Sequence, residues 1–208
     1  MITKTPERYK QASLFSERNT AALRKVKSIF TEEGIKPESA GRCLILSGAP
    51  GCGKTYSLWA AFNRLERWRN PIYPPAEYME NVLLGEGESR KPVVRPYRGI
   101  YGQVMSPDWF NDYLFAEPEY KKGMIEAVKA APVLLIDDLG MEGPNEKVMA
   151  LLESILNYRY NENKTTIIST NLTSEMFKKK YSERIIDRVR EWGTFYEITE
   201  KSLRGEVN

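Results

Sequence analysis

The eight residues Gly48-Ala49-Pro50-Gly51-Cys52-Gly53-Lys54-Thr55 constrain this chain more than any other stretch. They match G-x-x-x-x-G-K-[ST], with Gly51 as a further glycine inside the pattern. Glycines let the backbone fold so tightly that successive N–H groups point into one concavity, which holds phosphate oxygens. The helix that follows adds the positive end of its dipole. The pattern needs a buried strand before it and a helix after it. Cys43-Leu44-Ile45-Leu46 is a short apolar run suited to a central parallel strand. Leu58, Ala61, Phe62, Leu65 and Trp68 recur at helical spacing until Asn70-Pro71 ends the pattern. Lys54 is therefore expected to reach β- and γ-phosphates as a point charge, and the Thr55 hydroxyl to be a ligand of the Mg²⁺ that bridges them.

With 208 residues, the chain has room for one substantial domain. No run approaches the roughly 18 apolar residues of a membrane span, and Met1 to Lys10 carries charges of both signs, so a cytoplasmic protein without a membrane partner is expected. A net charge of +3, from 31 basic and 28 acidic residues, permits nucleic-acid contact without arguing for it. Cys43 and Cys52 fall at opposite ends of one strand plus loop, too extended for a disulfide. With no histidine in the chain, a zinc site is not expected either.

Residues 1–40 read as an N-terminal segment with one amphipathic helix, from about Glu17 to Phe30, whose stripe is Ala21, Ala22, Val26, Ile29 and Phe30. Residues 41–208 read as the core. Between about 70 and 98, Pro71, Pro74, Pro75, Pro92 and Pro96 alternate with Arg90, Lys91, Arg95 and Arg98, which suits an insertion rather than regular core structure. A strand is expected over 99–105, and a helix opened by Ser106-Pro107 as cap and first position. A further helix runs from Glu119 to about Ala130. The apolar strand Val133 to Ile136 ends on Asp137-Asp138, and a helix covers 145–160. A β-branched strand from Thr165 ends on Asn171, one basic helical segment runs from Ser174 to about Glu191, and Thr194 to Ile198 is the last strand. Strands alternating with helices imply an α/β fold, a parallel sheet covered on both faces whose ligand lies at the carboxyl ends of the strands.

The polar residues fall at those ends. Asp137 would hold Mg²⁺ beside Thr55, and Asp138 would polarise the attacking water. Asn171 can both donate and accept, and so could orient that water or the γ-phosphate. Arg184 and Arg188 stand four apart on a helical face that Ile185, Ile186 and Val189 do not occupy, so either could reach a neighbouring subunit's γ-phosphate. Cys52, near a helix N-terminus, would be open to alkylation that nucleotide blocks.

Phosphate loop, Asp-Asp strand, strand-end Asn and Glu183-Arg184-Ile185-Ile186-Asp187-Arg188, in this order, resemble the AAA+ ATPases, and among them the DnaC/DnaI-type helicase loaders and the IstB-type transposition helpers. The similarity is closest over 41–193, in Leu134 to Gly140 and Arg184 to Val189 above all. The resemblance implies a P-loop fold of AAA+ type, with a five-stranded parallel sheet and little or no C-terminal lid. It implies ATP and Mg²⁺ as cofactors, with Gly48 to Thr55 and the adjoining Tyr56 as the nucleotide-binding residues. Asp137 is then the metal ligand, Asp138 the water activator, Asn171 the γ-phosphate sensor, and Arg188, or Arg184, the arginine that completes a neighbour's site. Pro6-Glu7-Arg8-Tyr9 resembles a segment that brings Tyr9 near the adenine, and Ser202-Leu203-Arg204 one that brings Arg204 to phosphate. The implied function is ATP hydrolysis, slow and partner-stimulated, by a homo-oligomer acting with single-stranded DNA or a replicative helicase. A transposition helper or a nucleotide-gated binding module are the alternatives. The long basic insertion departs from the family, as does the lack of any stretch before residue 17 that could fold as a docking domain.

Overall fold

The structure is a computed structural model and describes residues 5–31, 35–69, 102–142, 145–200 and 202. The insertion expected at about 70–98 and Arg204 lie outside the described residues. Five strands are present: β1 Cys43–Gly48, β2 Gly102–Met105, β3 Val133–Leu139, β4 Thr165–Thr170 and β5 Gly193–Ile198. They form one sheet in the order β2-β3-β4-β1-β5, and every pairing is parallel. Seven α-helices flank it among the described residues: α1 Ala21–Lys27, α2 Lys54–Arg69, α3 Pro107–Phe115, α4 Pro118–Ala130, α5 Glu146–Asn161, α6 Ser174–Lys180 and α7 Glu183–Trp192.

Both faces of the sheet are covered, which is why its central strands are buried at nearly every position. Alternation along each strand divides the core. Leu44, Leu46, Leu135 and Ile167 pack with Leu23 and Val26 of α1 and with Leu58, Phe62 and Leu65 of α2. Ile45, Leu134, Ile136 and Ile168 point the other way, into a core shared with Phe110, Val128, Leu152, Phe177 and Ile185. Arg159 of α5 lies fully buried there. Its Nε donates to Thr166 Oγ1 at 2.9 Å, Nη1 to the carbonyls of Val128 and Ala131 at 2.9 and 2.8 Å, and Nη2 to that of Thr165 at 2.6 Å. Burial pulls its pKa down to about 9, and the guanidinium still stays charged at neutral pH. It joins the last turn of α4 to the start of β4, where the negative end of a helix dipole favours a cation.

Two expectations are corrected. The first helix is shorter than 17–30, because Thr20 Oγ1 accepts from Leu23 N–H at 3.1 Å as an N-cap and the Ala21 N–H donates to Glu200 Oε2 at 2.7 Å. Its apolar stripe continues past Lys27 in tighter turns, with Ile29 and Phe30 donating to Val26 and Lys27. The basic segment 174–191 is two helices rather than one. Tyr181 is extended (φ −103°, ψ 155°), and Ser182 caps α7.

Before α1, a 3-10 turn at Glu7–Tyr9 is fastened to α2. Asn63 Nδ2 donates to the carbonyls of Tyr9 and Ala12 at 2.8 and 2.9 Å, and the Tyr9 ring stacks on Trp59.

Candidate nucleotide site

The loop between β1 and α2 opens at the carboxyl edge of the sheet, as Gly51 and Gly53 turn it with φ of +88° and +94°. Ala49 and Pro50 form its exposed tip. A Cβ on Gly53 would come within 3.0 Å of Thr20 Oγ1, so the cap of α1 packs directly on the loop. Cys52 points inward and is 1% exposed, beside the place that a Cβ on Gly48 would need, so the alkylation expected of it would require the loop to open.

Lys54 follows, 5% exposed. Its ammonium donates to the carbonyls of Gly48 and Ala49 at 2.6 and 3.0 Å and to Asn171 Oδ1 at 3.0 Å. Thr55 Oγ1 donates to Asp137 Oδ1 at 3.0 Å. The end of β3 is irregular: its register with β4 shifts between Ile136 and Leu139, and Asp138 adopts φ +54°. Such a bulge re-aims a side chain. Here Asp137 turns toward Thr55, while Asp138 Oδ1 accepts from Asn171 Nδ2 at 3.1 Å.

Ser169 fastens this arrangement and was not singled out in the sequence. Its Oγ donates to Asp137 Oδ1 at 2.6 Å and accepts from Asp138 N–H at 2.9 Å. Its strand carries four buried hydroxyl residues, Thr165, Thr166, Ser169 and Thr170, so the sequence held no signal that distinguished this one. Burial raises the Asp137 pKa, the hydrogen bonds from Ser169 and Thr55 oppose the rise, and the Asp138 charge adds to it. A hydroxyl and a buried carboxylate side by side are oxygen ligands of the kind magnesium takes, so the residues present fit that ion.

Order in the sheet is what assembles these parts. Because β4 lies between β1 and β3, Ser169 and Asn171 fall between the loop that carries Lys54 and the strand that carries Asp137.

The other expected residues stand apart from this cluster. Tyr56 accepts from Ser13 N–H at 3.4 Å, and the Arg18 guanidinium sits 4.7 Å over its ring. Tyr9 packs on Trp59, one helical turn beyond Thr55. Arg184 and Arg188 line a groove of about 560 Å³ between α5 and α7. Arg184 has an 87% exposed side chain and one ion pair, to Glu153 at 3.5 Å. Arg188 is more engaged, 4.5 Å over the Tyr160 ring and 3.4 Å from Asn157 Oδ1. It stands a full helical turn before β5.

No protein-family model matches the sequence. Cell cycle checkpoint protein RAD17 of Mus musculus is 29% identical over 132 residues, 62% of this chain and 16% of RAD17. Phage-like element PBSX protein XkdC of Bacillus subtilis is 29% identical over 170 residues, 79% of this chain and 53% of XkdC. The chain thus spans about half of XkdC and a small part of RAD17.

Among solved structures, the DnaC helicase loader superposes with a TM-score of 0.63 at 21% identity, over 93% of this chain and 100% of that one. DnaI gives 0.64 at 23% identity, over 96% and 94%. The replication initiator DnaA, bound to AMPPCP and single-stranded DNA, gives 0.60 at 21%, over 94% and 51%. The fold is therefore that of the AAA+ P-loop domains. Within that class it has the form seen in DnaC and DnaI, with which it is nearly coextensive.

Proposed function

We propose that this chain binds Mg-ATP at Gly48 to Thr55 and hydrolyses it slowly, within an oligomer that acts on DNA or a replicative helicase as a helicase loader does. The observation that carries the reading is the hydrogen-bonded chain Lys54–Asn171–Asp138, set beside the pair Thr55–Asp137.

The backbone N–H groups of the loop and the Lys54 ammonium meet phosphate oxygens, exchanging carbonyl and amide partners for charged ones. Thr55 and Asp137 would hold magnesium, which when bound neutralises charge on the phosphates. Asp138 takes the proton of a water that attacks the γ-phosphorus, and Asn171 holds both the carboxylate and the lysine in line as ADP leaves.

The arginine of a neighbouring copy supplies positive charge to the same phosphoryl group. Both candidates project from the α5–α7 groove, and Arg184 is the freer of the two. DNA and helicase as partners rest on the likeness to DnaC, DnaI and DnaA.

The test compares ATP turnover of the wild type, Lys54→Ala and Arg184→Ala, with and without single-stranded DNA. Turnover that DNA raises, and that either substitution abolishes, supports the reading. Nucleotide-dependent assembly with no turnover would leave a binding module instead, and absence of nucleotide binding would overturn the site.

A further inference from the structure

We propose that Glu142, Lys180 and Tyr181 form a buried strut that makes the placement of Arg184 depend on the state of the site around Asp138. The inference rests on the reading of that site as one for ATP.

The strut starts at the bulge of β3. Asp138 O accepts from Met141 N–H at 3.1 Å, and Gly140, with φ of +110°, turns the chain inward. A Cβ on Gly140 would come within 2.9 Å of Leu172, the residue after Asn171, so the turn and the end of β4 are packed as one piece. The Glu142 side chain, 2% exposed, lies under this turn. Its Oε2 accepts from Gly140 N–H at 2.7 Å, and its Oε1 accepts from the Tyr181 hydroxyl at 2.5 Å. Lys180 Nζ lies 3.4 Å from Oε1 and donates to the carbonyls of Gly140 and Glu142 at 2.6 and 3.1 Å.

Glu142 is thus buried and held by three donors from two elements. What it does is connect. On one side it holds the turn that follows Asp138; on the other it holds the residue that separates α6 from α7. Ser182 comes next. It caps α7, and its hydroxyl donates to Glu153 Oε2 at 2.9 Å. Glu153 is also the ion-pair partner of Arg184. From Asp138 to Arg184 the path runs through one turn, one carboxylate, one phenol and one helix cap.

A buried charge held by several donors has one low-energy arrangement, because any displacement strands a desolvated group. A shift of Asp138 and Asn171 on nucleotide binding is therefore not absorbed in the turn. It is carried through Tyr181 to the start of α7, so that a filled site repositions the arginine offered to the neighbour. This gives the coupling a defined physical link rather than proximity alone.

Hydrogen exchange in the amides of 183–192 tests this, measured with and without Mg-ATP on the full chain carrying Tyr181→Phe, which removes one hydroxyl. The wild type should show an ATP-dependent change in α7. Tyr181→Phe should bind ATP within about threefold of the wild type, lose the α7 response, and turn ATP over about tenfold more slowly at unchanged KM. Lys180→Met is the second variant, for use if Tyr181→Phe melts below the working temperature. Persistence of the α7 response in both variants would overturn the strut, as would a wild type that binds ATP with no change in α7. A wild type that binds no ATP would instead overturn the underlying reading of the site, and the strut's coupling role with it.

Discussion

Asn171 Oδ1 lies 3.0 Å from Lys54 Nζ, so the end of β4 and the loop after β1 are tied by a single side-chain hydrogen bond. The same amide donates to Asp138 through Nδ2 at 3.1 Å. One side chain therefore aligns the Lys54 ammonium with the Asp138 carboxylate, the two groups that the proposed reaction would set on phosphate and on water.

Asn171→Ala should leave ATP affinity within a few-fold of wild type, because Lys54 keeps the carbonyls of Gly48 and Ala49 as partners. Turnover should fall by about 100-fold, the usual cost of removing one positioned polar group from a reacting centre. Steady-state hydrolysis with a parallel binding titration separates the two effects. A loss confined to affinity would argue against a positioning role.

Asp137→Asn should raise the melting temperature at neutral pH while abolishing turnover. The folded Asp137 pKa lies above its ordinary 3.8, with burial as the main cause. A raised acid pKa means that the folded state favours the protonated form. Its stability contribution is full below the unfolded pKa and is lost as pH rises through the folded one. The stabilisation by Asn should therefore be full above the folded pKa, shrink as the pH falls through it, and be gone by about 4, the ordinary carboxylate range. Melting curves of both proteins across pH, taken without magnesium, check the sign.

Arg159→Lys should destabilise the fold by roughly 2–4 kcal/mol, since one ammonium cannot reach the four acceptors that lie within 2.9 Å of the guanidinium nitrogens. The effect belongs to unfolding alone: urea midpoints should drop while ATP affinity of the folded protein stays the same.

Gly53→Ala should weaken nucleotide binding at least tenfold. The residue needs φ +94°, and a Cβ there would press on Thr20 Oγ1, the cap of α1. The substitution should also increase hydrogen exchange in 21–27, which a defect confined to the loop would not do.

The loop, the strand that precedes it and the Asp-Asp pair were legible because each is local. Two glycines at fixed spacing, an apolar run and a hydroxyl after a lysine sit within one stretch of backbone. Ser106 before Pro107 likewise reads as a helix start, and the structure has Ser106 Oγ accepting from Trp109 N–H. Local pattern misled where a distant group competed. The periodicity of 174–191 suits one helix, yet Tyr181 is drawn out of it toward Glu142, 39 positions earlier. Glu200 similarly fixes where α1 begins, from the far end of the chain.

By itself, the sequence determined that a glycine-rich loop joins a buried strand to a helix in a parallel α/β sheet, and that carboxylates and an amide end two later strands. Only the tertiary structure decided which strands are neighbours. Every central strand is buried on both faces, so neither face marks which neighbour a strand takes, and parallel pairing joins segments far apart in sequence through hydrogen bonds that any backbone can make. With β4 placed between β1 and β3, Ser169 and Asn171 come to lie between Lys54 and Asp137. That placement, set by packing of the whole sheet, turns separate motifs into one site.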